Sequence, residues 1–205
     1  MTAKVRVGGL RGYNKLVRQF GEDPLRLTRA CGVSDSLLDD EDALISYRQL
    51  IHLMEKAAVE LALPDFGLRL AASQDIGILG PLAVAMQNCS TVEGAMRCAA
   101  TYMFIQSPAL TLDVEKLTSS SRLRPSINLN QMPHGAMSQA EDLAIGVGNG
   151  ILKGLAQDQY ELIRVELPHE PLVPESEYEA YFGAPVVFNS NQSALYVSPG
   201  TLNTC

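Results

Sequence analysis

Two glycine-bearing stretches offer the first places to look for chemistry. Residues 76–96 read IGILGPLAVAMQNCSTVEGAM. A loop that cradles a dinucleotide needs G-x-G-x-x-G directly after a strand, with an acidic residue about 20 positions on. Gly77 and Gly80 supply only G-x-x-G after a segment that reads as helical, and the G-K-[ST] of a nucleotide-triphosphate loop is missing. Gly80-Pro81 instead reads as a turn that puts Pro81 at the first position of a helix. The stretch is therefore expected to be a junction between helices, with no phosphate bound. The second stretch is Gly146-Val147-Gly148-Asn149-Gly150. Its glycines fall inside a helical stripe, where each costs about 1 kcal/mol relative to alanine. Close helix packing or a local kink accounts for them, and space for a ligand beside the helix is the alternative.

The titratable residues do not assemble into a reaction centre. His52, His134 and His169 lie far apart, none at helical spacing from another histidine or cysteine, so no metal site is expected. Cys31, Cys89, Cys98 and Cys205 are scattered without a C-x-x-C pair and read as reduced thiols in cytosol. No G-x-S-x-G is present, and Asp39, Asp40, Glu41 and Asp42 read as a solvated acidic run. Neither an enzyme nor a bound cofactor is expected.

Charge narrows the classes further. The net charge of −7 argues against nucleic-acid binding by this chain itself. Lys4, Arg6, Arg11, Lys15 and Arg18 all precede the first acidic residue, Glu22. They read as a solvated helix face after a disordered start, with a basic docking surface as the lesser alternative. No apolar run approaches the roughly 20 residues of a membrane span, and no secretory signal is visible, so a cytoplasmic protein without membrane contact is expected.

The elements that must position any site follow from periodicity. Leu10, Tyr13, Leu16, Val17 and Phe20 mark a helix closed by Gly21, and Asp23-Pro24 caps a second that ends near Gly32. Ser46–Gln49 is a capping box ahead of Leu50, Leu53, Met54, Ala57 and Leu61, and a short helix is expected between Asp65 and Ser73. Ser90–Glu93 and Ser138–Glu141 read as further capping boxes, the latter opening a long helix through Leu155. Between them the period falls to two. Leu110–Val114 and Leu123–Leu129 form a hairpin, with Pro125 placing the second strand near an edge. Ile163–Leu167 forms a third strand, and a short helix at Pro174–Phe182 stops at Gly183. Val186–Phe188 and Leu195–Val197 read as a final strand pair around an Asn189–Gln192 turn. The class is α+β, an N-terminal helical part followed by a small, mostly antiparallel sheet packed against long helices.

These segments resemble the N-terminal regulatory, arabinose-binding-type domain of one branch of the AraC/XylS family of bacterial transcription factors. The resemblance rests on Phe66–Leu70, Gly77–Leu82, Ser90–Met96, His169-Glu170-Pro171 and Tyr181–Phe188, and it runs from about Leu16 to Leu202. It implies that residues 1–205 are an effector-sensing and dimerising domain, and that a C-terminal helix-turn-helix DNA-binding domain lies outside this chain. DNA and RNA polymerase would then be reached only through the full-length protein. The implied partners are a small-molecule effector and a second copy of the chain. The alternative is an interaction module that dimerises without a ligand.

A sensor of this kind needs a concave, mostly apolar site with few polar anchors. The candidates are Met86, Met103, Phe104 and Met137 as lining, Glu141 and His134 as polar groups, and Gly148 as the residue that leaves room. For each of these, core packing or capping is the competing account.

Overall fold

The computed structural model describes residues 3–37, 40–129, 132 and 136–204. The chain opens with a short strand, β1 (Lys4–Arg6), paired antiparallel with β2 (Leu44–Ser46). This corrects the expected disordered start. Val5 and Ile45 face each other across the pair and are both buried, which ties the start to the core. Helices α1 (Tyr13–Gln19) and α2 (Pro24–Ala30) follow, separated by Gly21 at φ +84°, and the Asp23 side chain accepts the amide of Leu25. Helix α3 (Tyr47–Glu60) starts at the expected Ser46/Gln49 capping box. Helices α4 (Phe66–Ala72), α5 (Pro81–Gln87) and α6 (Val92–Tyr102) complete the first half. The α6 cap is Thr91, which accepts the Gly94 amide; the expected Ser90 lies one residue early. Glu93, freed from capping, pairs with Arg97 and Lys116.

The main sheet holds β3 (Leu110–Lys116), β4 (Ser121–Ile127), β5 (Leu162–Glu166), β6 (Val186–Val187) and β7 (Ala194–Val197), in the order β3-β4-β7-β5-β6. The β3–β4 hairpin forms as read, but β4 is an interior strand. Pro125 is tolerated because β7 pairs only with Ser121–Leu123, so no ladder bond is asked of the proline on that side. The expected pairing of the last two strands is also corrected. β7 inserts between β4 and β5, and β6 runs parallel to β5 at the edge. Burial explains the order: all four residues of β7 are buried, which suits a central strand, whereas β6 is two residues with Val187 exposed. The class is α+β.

Helix α7 (Ser138–Ala156) joins two apolar cores; α8 (Glu175–Phe182) and α9 (Pro199–Asn203) close the second. The first core gathers Tyr13, Leu27, Ile51, Met54 and Phe66 among the N-terminal helices. The second gathers Met86, Leu123, Leu152, Val165, Tyr178 and Leu195 between α5, α6 and the sheet. Ala140 and Leu143 of α7 belong to the first, Ile145, Ile151 and Leu152 to the second, and Val147 packs against both. Its start departs from the sequence reading. Ser138 lies inside the helix, and the Glu55 carboxylate on α3 accepts the Gln139 amide at 2.9 Å, doing the work expected of a local cap. Among the described residues no helix is long and apolar enough to cross a membrane.

Candidate functional site

Residues 140, 143, 144, 147, 148, 151 and 152 of α7 repeat at helical spacing and form one wall of a cavity of about 160 Å³. Leu110, Leu112, Leu123 and Leu195 of the sheet face them, Met86, Met96, Ala99 and Met103 close a third side, and Val5, Tyr47 and Leu50 reach in from the first core. The cavity therefore lies where the two cores meet. The three methionines give it walls that can adjust to an occupant.

The glycines along α7 divide by what they touch. A Cβ on Gly146 would lie 2.6 Å from the Ala71 Cβ and 2.9 Å from the Tyr181 hydroxyl, so this position serves the contact with α4. Gly67 on α4 makes the same contact from the other side, since a Cβ there would lie 2.2 Å from the Gln139 carbonyl. Gly148 faces the cavity instead, with the Leu195 Cδ1 at 3.4 Å from its absent Cβ, and Gly150 faces open space. Close packing explains one glycine of the run and an open volume another.

The polar lining comprises Arg6 on β1, Gln74 and Gln106, with Thr111 on β3 and Tyr47 on α3. The Arg6 amide donates to the Gln106 carbonyl at 3.1 Å, and Gln106 Nε2 donates to the Leu79 carbonyl at 2.6 Å. The Arg6 side chain is 11% exposed and pairs with Asp42, whose side chain is 80% exposed. Gly80, at φ +55°, makes room for it: a Cβ there would sit 2.6 Å from Nη1. Arg11 is held similarly, bidentate to Glu41 and donating to the Gly77 carbonyl at 3.3 Å. The 77–80 stretch is thus a junction between a 3-10 turn and α5 that also cradles two guanidinium groups. That corrects the reading of Arg6, which is nearly buried and not part of a solvated face; Glu41 and Asp42 are solvated as read and pair with Arg11 and Arg6. The Arg11 hydrogen bonds hold the Glu41 carboxyl below the usual range despite a small opposing effect of burial.

Gln74, also in the lining, donates from Nε2 to the carbonyls of Gly9 at 3.0 Å and Arg11 at 2.8 Å. Turning the amide over would put its oxygen against both carbonyls, so its orientation is determined. Its Oε1 is buried and has no hydrogen-bond partner among the described residues.

The sequence candidates scatter around this cavity. Met86, Met103 and Gly148 line it. Met137 and Glu141 line a neighbouring pocket between β4 and residues 191–193, separated from the first by Pro125 and Ala144, which border both. Phe104 lines neither. It is 62% exposed in a 3-10 turn that carries its ring outward against Tyr102, because the regular helix ends at Tyr102. His134 lies outside the described residues. Arg6, Gln74 and Gln106 were not singled out as site residues. Periodicity signals a helix face, and these three come from a strand end, a turn and a loop brought together by pairing across the fold.

A second buried polar group lies on the opposite side of α7. Asp142, fully buried, accepts from the Tyr178 hydroxyl at 2.8 Å and pairs with His169 Nε2 at 3.1 Å. His169 Nδ1 faces the Glu170 carbonyl at 2.7 Å. Burial pushes the Asp142 carboxyl up, against the His169 hydrogen bond. For His169, burial opposes the charged form, but the bond to Asp142 and its charge prevail and hold the imidazole above its ordinary value. Every ring nitrogen and carboxylate oxygen of this group is engaged, with no nucleophile beside it. It is buried and joins α7 to α8 and the 167–172 loop. Among the described residues no three histidine, cysteine or acidic side chains are grouped to hold a metal.

Comparison with known proteins agrees with this architecture. The chain is 32% identical over 184 residues to the HTH-type transcriptional regulator VirS of Mycobacterium tuberculosis, in both strain CDC 1551 / Oshkosh and strain ATCC 25618 / H37Rv. That match takes in 90% of this chain and 54% of VirS, so the chain spans about half the length of the curated relatives it matches. The crystal structure of transcriptional regulator CdpR from Pseudomonas aeruginosa shares the fold, with a TM-score of 0.60 at 18% identity, over 88% of this chain and 55% of CdpR. Both relatives are named as transcriptional regulators. Residues 21–204 match the family model for the arabinose-binding domain of AraC transcription regulators, N-terminal, and the chain belongs to that family.

Proposed function

We propose that this chain senses a small molecule in the cavity beside α7 and passes its occupancy to a C-terminal helix-turn-helix domain of the full-length regulator. The observation that carries the reading is the position of the cavity. Its lining comes from both apolar cores and from the helix that joins them. A ligand there touches both at once and favours the arrangement of the two that fits it best. Only such differential affinity can shift a conformational equilibrium. Met86, Met103 and Gly148 would contact the ligand directly. Met137 and Glu141, in the adjoining pocket, would respond through the shared Pro125 and Ala144. RNA polymerase and DNA would be contacted by the full-length protein.

The test is a thermal-shift screen of the chain against amino acids, sugars, fatty acids and aromatic acids. A ligand at a hundred times its Kd stabilises the native state by about 2.7 kcal/mol. The reading fails if no compound raises the melting temperature and a small apolar probe such as benzene does not enter the cavity.

Self-association draws on a separate observation. Tyr102, Phe104 and Ile105 are exposed side by side at the end of α6, an apolar patch suited to a second copy of the chain. Phe104→Asp should then lower the sedimentation mass without altering the response to ligand.

A further inference from the structure

We propose that the ligand is an apolar monocarboxylic acid, its carboxylate read by Arg6 and its body lying along α7, and that the cavity does not accept a sugar. This rests on the cavity being the effector site. A sugar presents hydroxyl groups on every side and needs a partner for each. Here the walls are largely apolar, with Thr111 on β3 and Tyr47 on α3 the exceptions, and Arg6 and Gln106 are joined by a hydrogen bond in the lining they share with Gln74. A molecule matching that distribution has a single polar end.

The chemistry of the ligand's polar end follows from two lining residues, Arg6 and Gln74. The Arg6 guanidinium is almost buried, while the carboxylate that balances it, Asp42, stands in water. A planar carboxylate reaching Arg6 from the cavity side would compete with Asp42 for the N–H donors of that guanidinium. Gln74 Oε1, fixed by its two bonds to backbone carbonyls, can only accept. It favours an acid that carries a hydroxyl or N–H close to the carboxylate. Size sets the remainder. An apolar cavity of about 150 Å³ holds benzene, and this one is about 160 Å³ with methionines in its wall. Acids of roughly six to ten carbons fit that space.

Calorimetric titration of the 205-residue chain with four probes tests this: octanoate, 3-hydroxyoctanoate, octan-1-ol and L-arabinose. The expected order of affinity is 3-hydroxyoctanoate, octanoate, octan-1-ol, with no heat from arabinose. Arg6→Gln should weaken octanoate about tenfold or more and leave octan-1-ol unchanged. Asp42→Asn, a change in an exposed side chain, removes the competing carboxylate and should tighten octanoate by a factor of about three. Equal affinity for octanoate and octan-1-ol, or no response to either substitution, overturns the role of Arg6. Equal affinity of the two acids overturns that of Gln74. Binding of arabinose in place of the acids overturns the ligand class. Benzene separates the two levels: if it binds while the acids do not, the cavity reading survives and the acid falls, and if neither binds both fall.

Discussion

The two polar groups that flank α7 are built from similar materials and end in opposite states. On one side Asp142, His169 and Tyr178 satisfy one another completely inside the protein. On the other, Gln74 keeps a buried acceptor without a partner among the described residues and Arg6 is balanced by a carboxylate standing in solvent. A closed network holds elements together, and its loss is felt in stability. An open one retains hydrogen-bonding capacity at some cost in stability, and its use is felt in binding. The same division runs along the helix itself, where Gly146 is spent on contact with α4 and Gly148 on empty space.

Breaking the closed side should produce the largest effect. Asp142→Ala leaves a buried imidazole and a buried phenol without their common acceptor, and should cost about 3–5 kcal/mol in urea denaturation. Equal stability of the variant would show that the network contributes little. Next come the packing glycines. Gly67→Ala and Gly146→Ala place a methyl group against the Gln139 carbonyl and the Ala71 side chain, and each should cost about 1–3 kcal/mol.

A smaller effect is expected from pH. The native state holds the His169 proton more tightly than the unfolded chain does. That contribution is full below the ordinary histidine value of about 6.5 and is lost as pH rises through the raised native value. The stability difference between wild type and His169→Gln should therefore narrow as pH rises from about 6.5 through the raised native value. A difference that widens as pH rises above about 6.5 would mean that burial, and not Asp142, dominates the imidazole.

Much of this architecture could be read along the chain. The Ser46–Gln49 capping box, the Asp23-Pro24 helix start, the β3–β4 hairpin and the apolar stripe of α7 are all set by neighbours in sequence. What escaped was decided across the fold. The start of α7 is capped by Glu55, and Arg6 and Arg11 find their acids and their glycines more than a helix away in sequence. The Asn189–Gln192 turn signalled a reversal correctly, but the partner of β7 was chosen by burial and not by adjacency. The candidate site divides the same way. Its helical wall was legible as periodicity, whereas its polar lining, drawn from Arg6, Gln74 and Gln106, has no local signature.

The open side is tested most directly by Gly148→Leu. The first carbon of the new side chain meets Leu195 at ordinary contact distance, and the remainder extends into the cavity. Urea melts of wild type and variant, each with and without saturating benzene, give the answer. If the volume beside α7 is a ligand site, the variant stays within about 1 kcal/mol of wild type, helped by the better helix propensity of leucine, and no longer gains stability from benzene. A variant that loses several kcal/mol, or that still responds to benzene as wild type does, would show that Gly148 serves packing and that the ligand binds elsewhere.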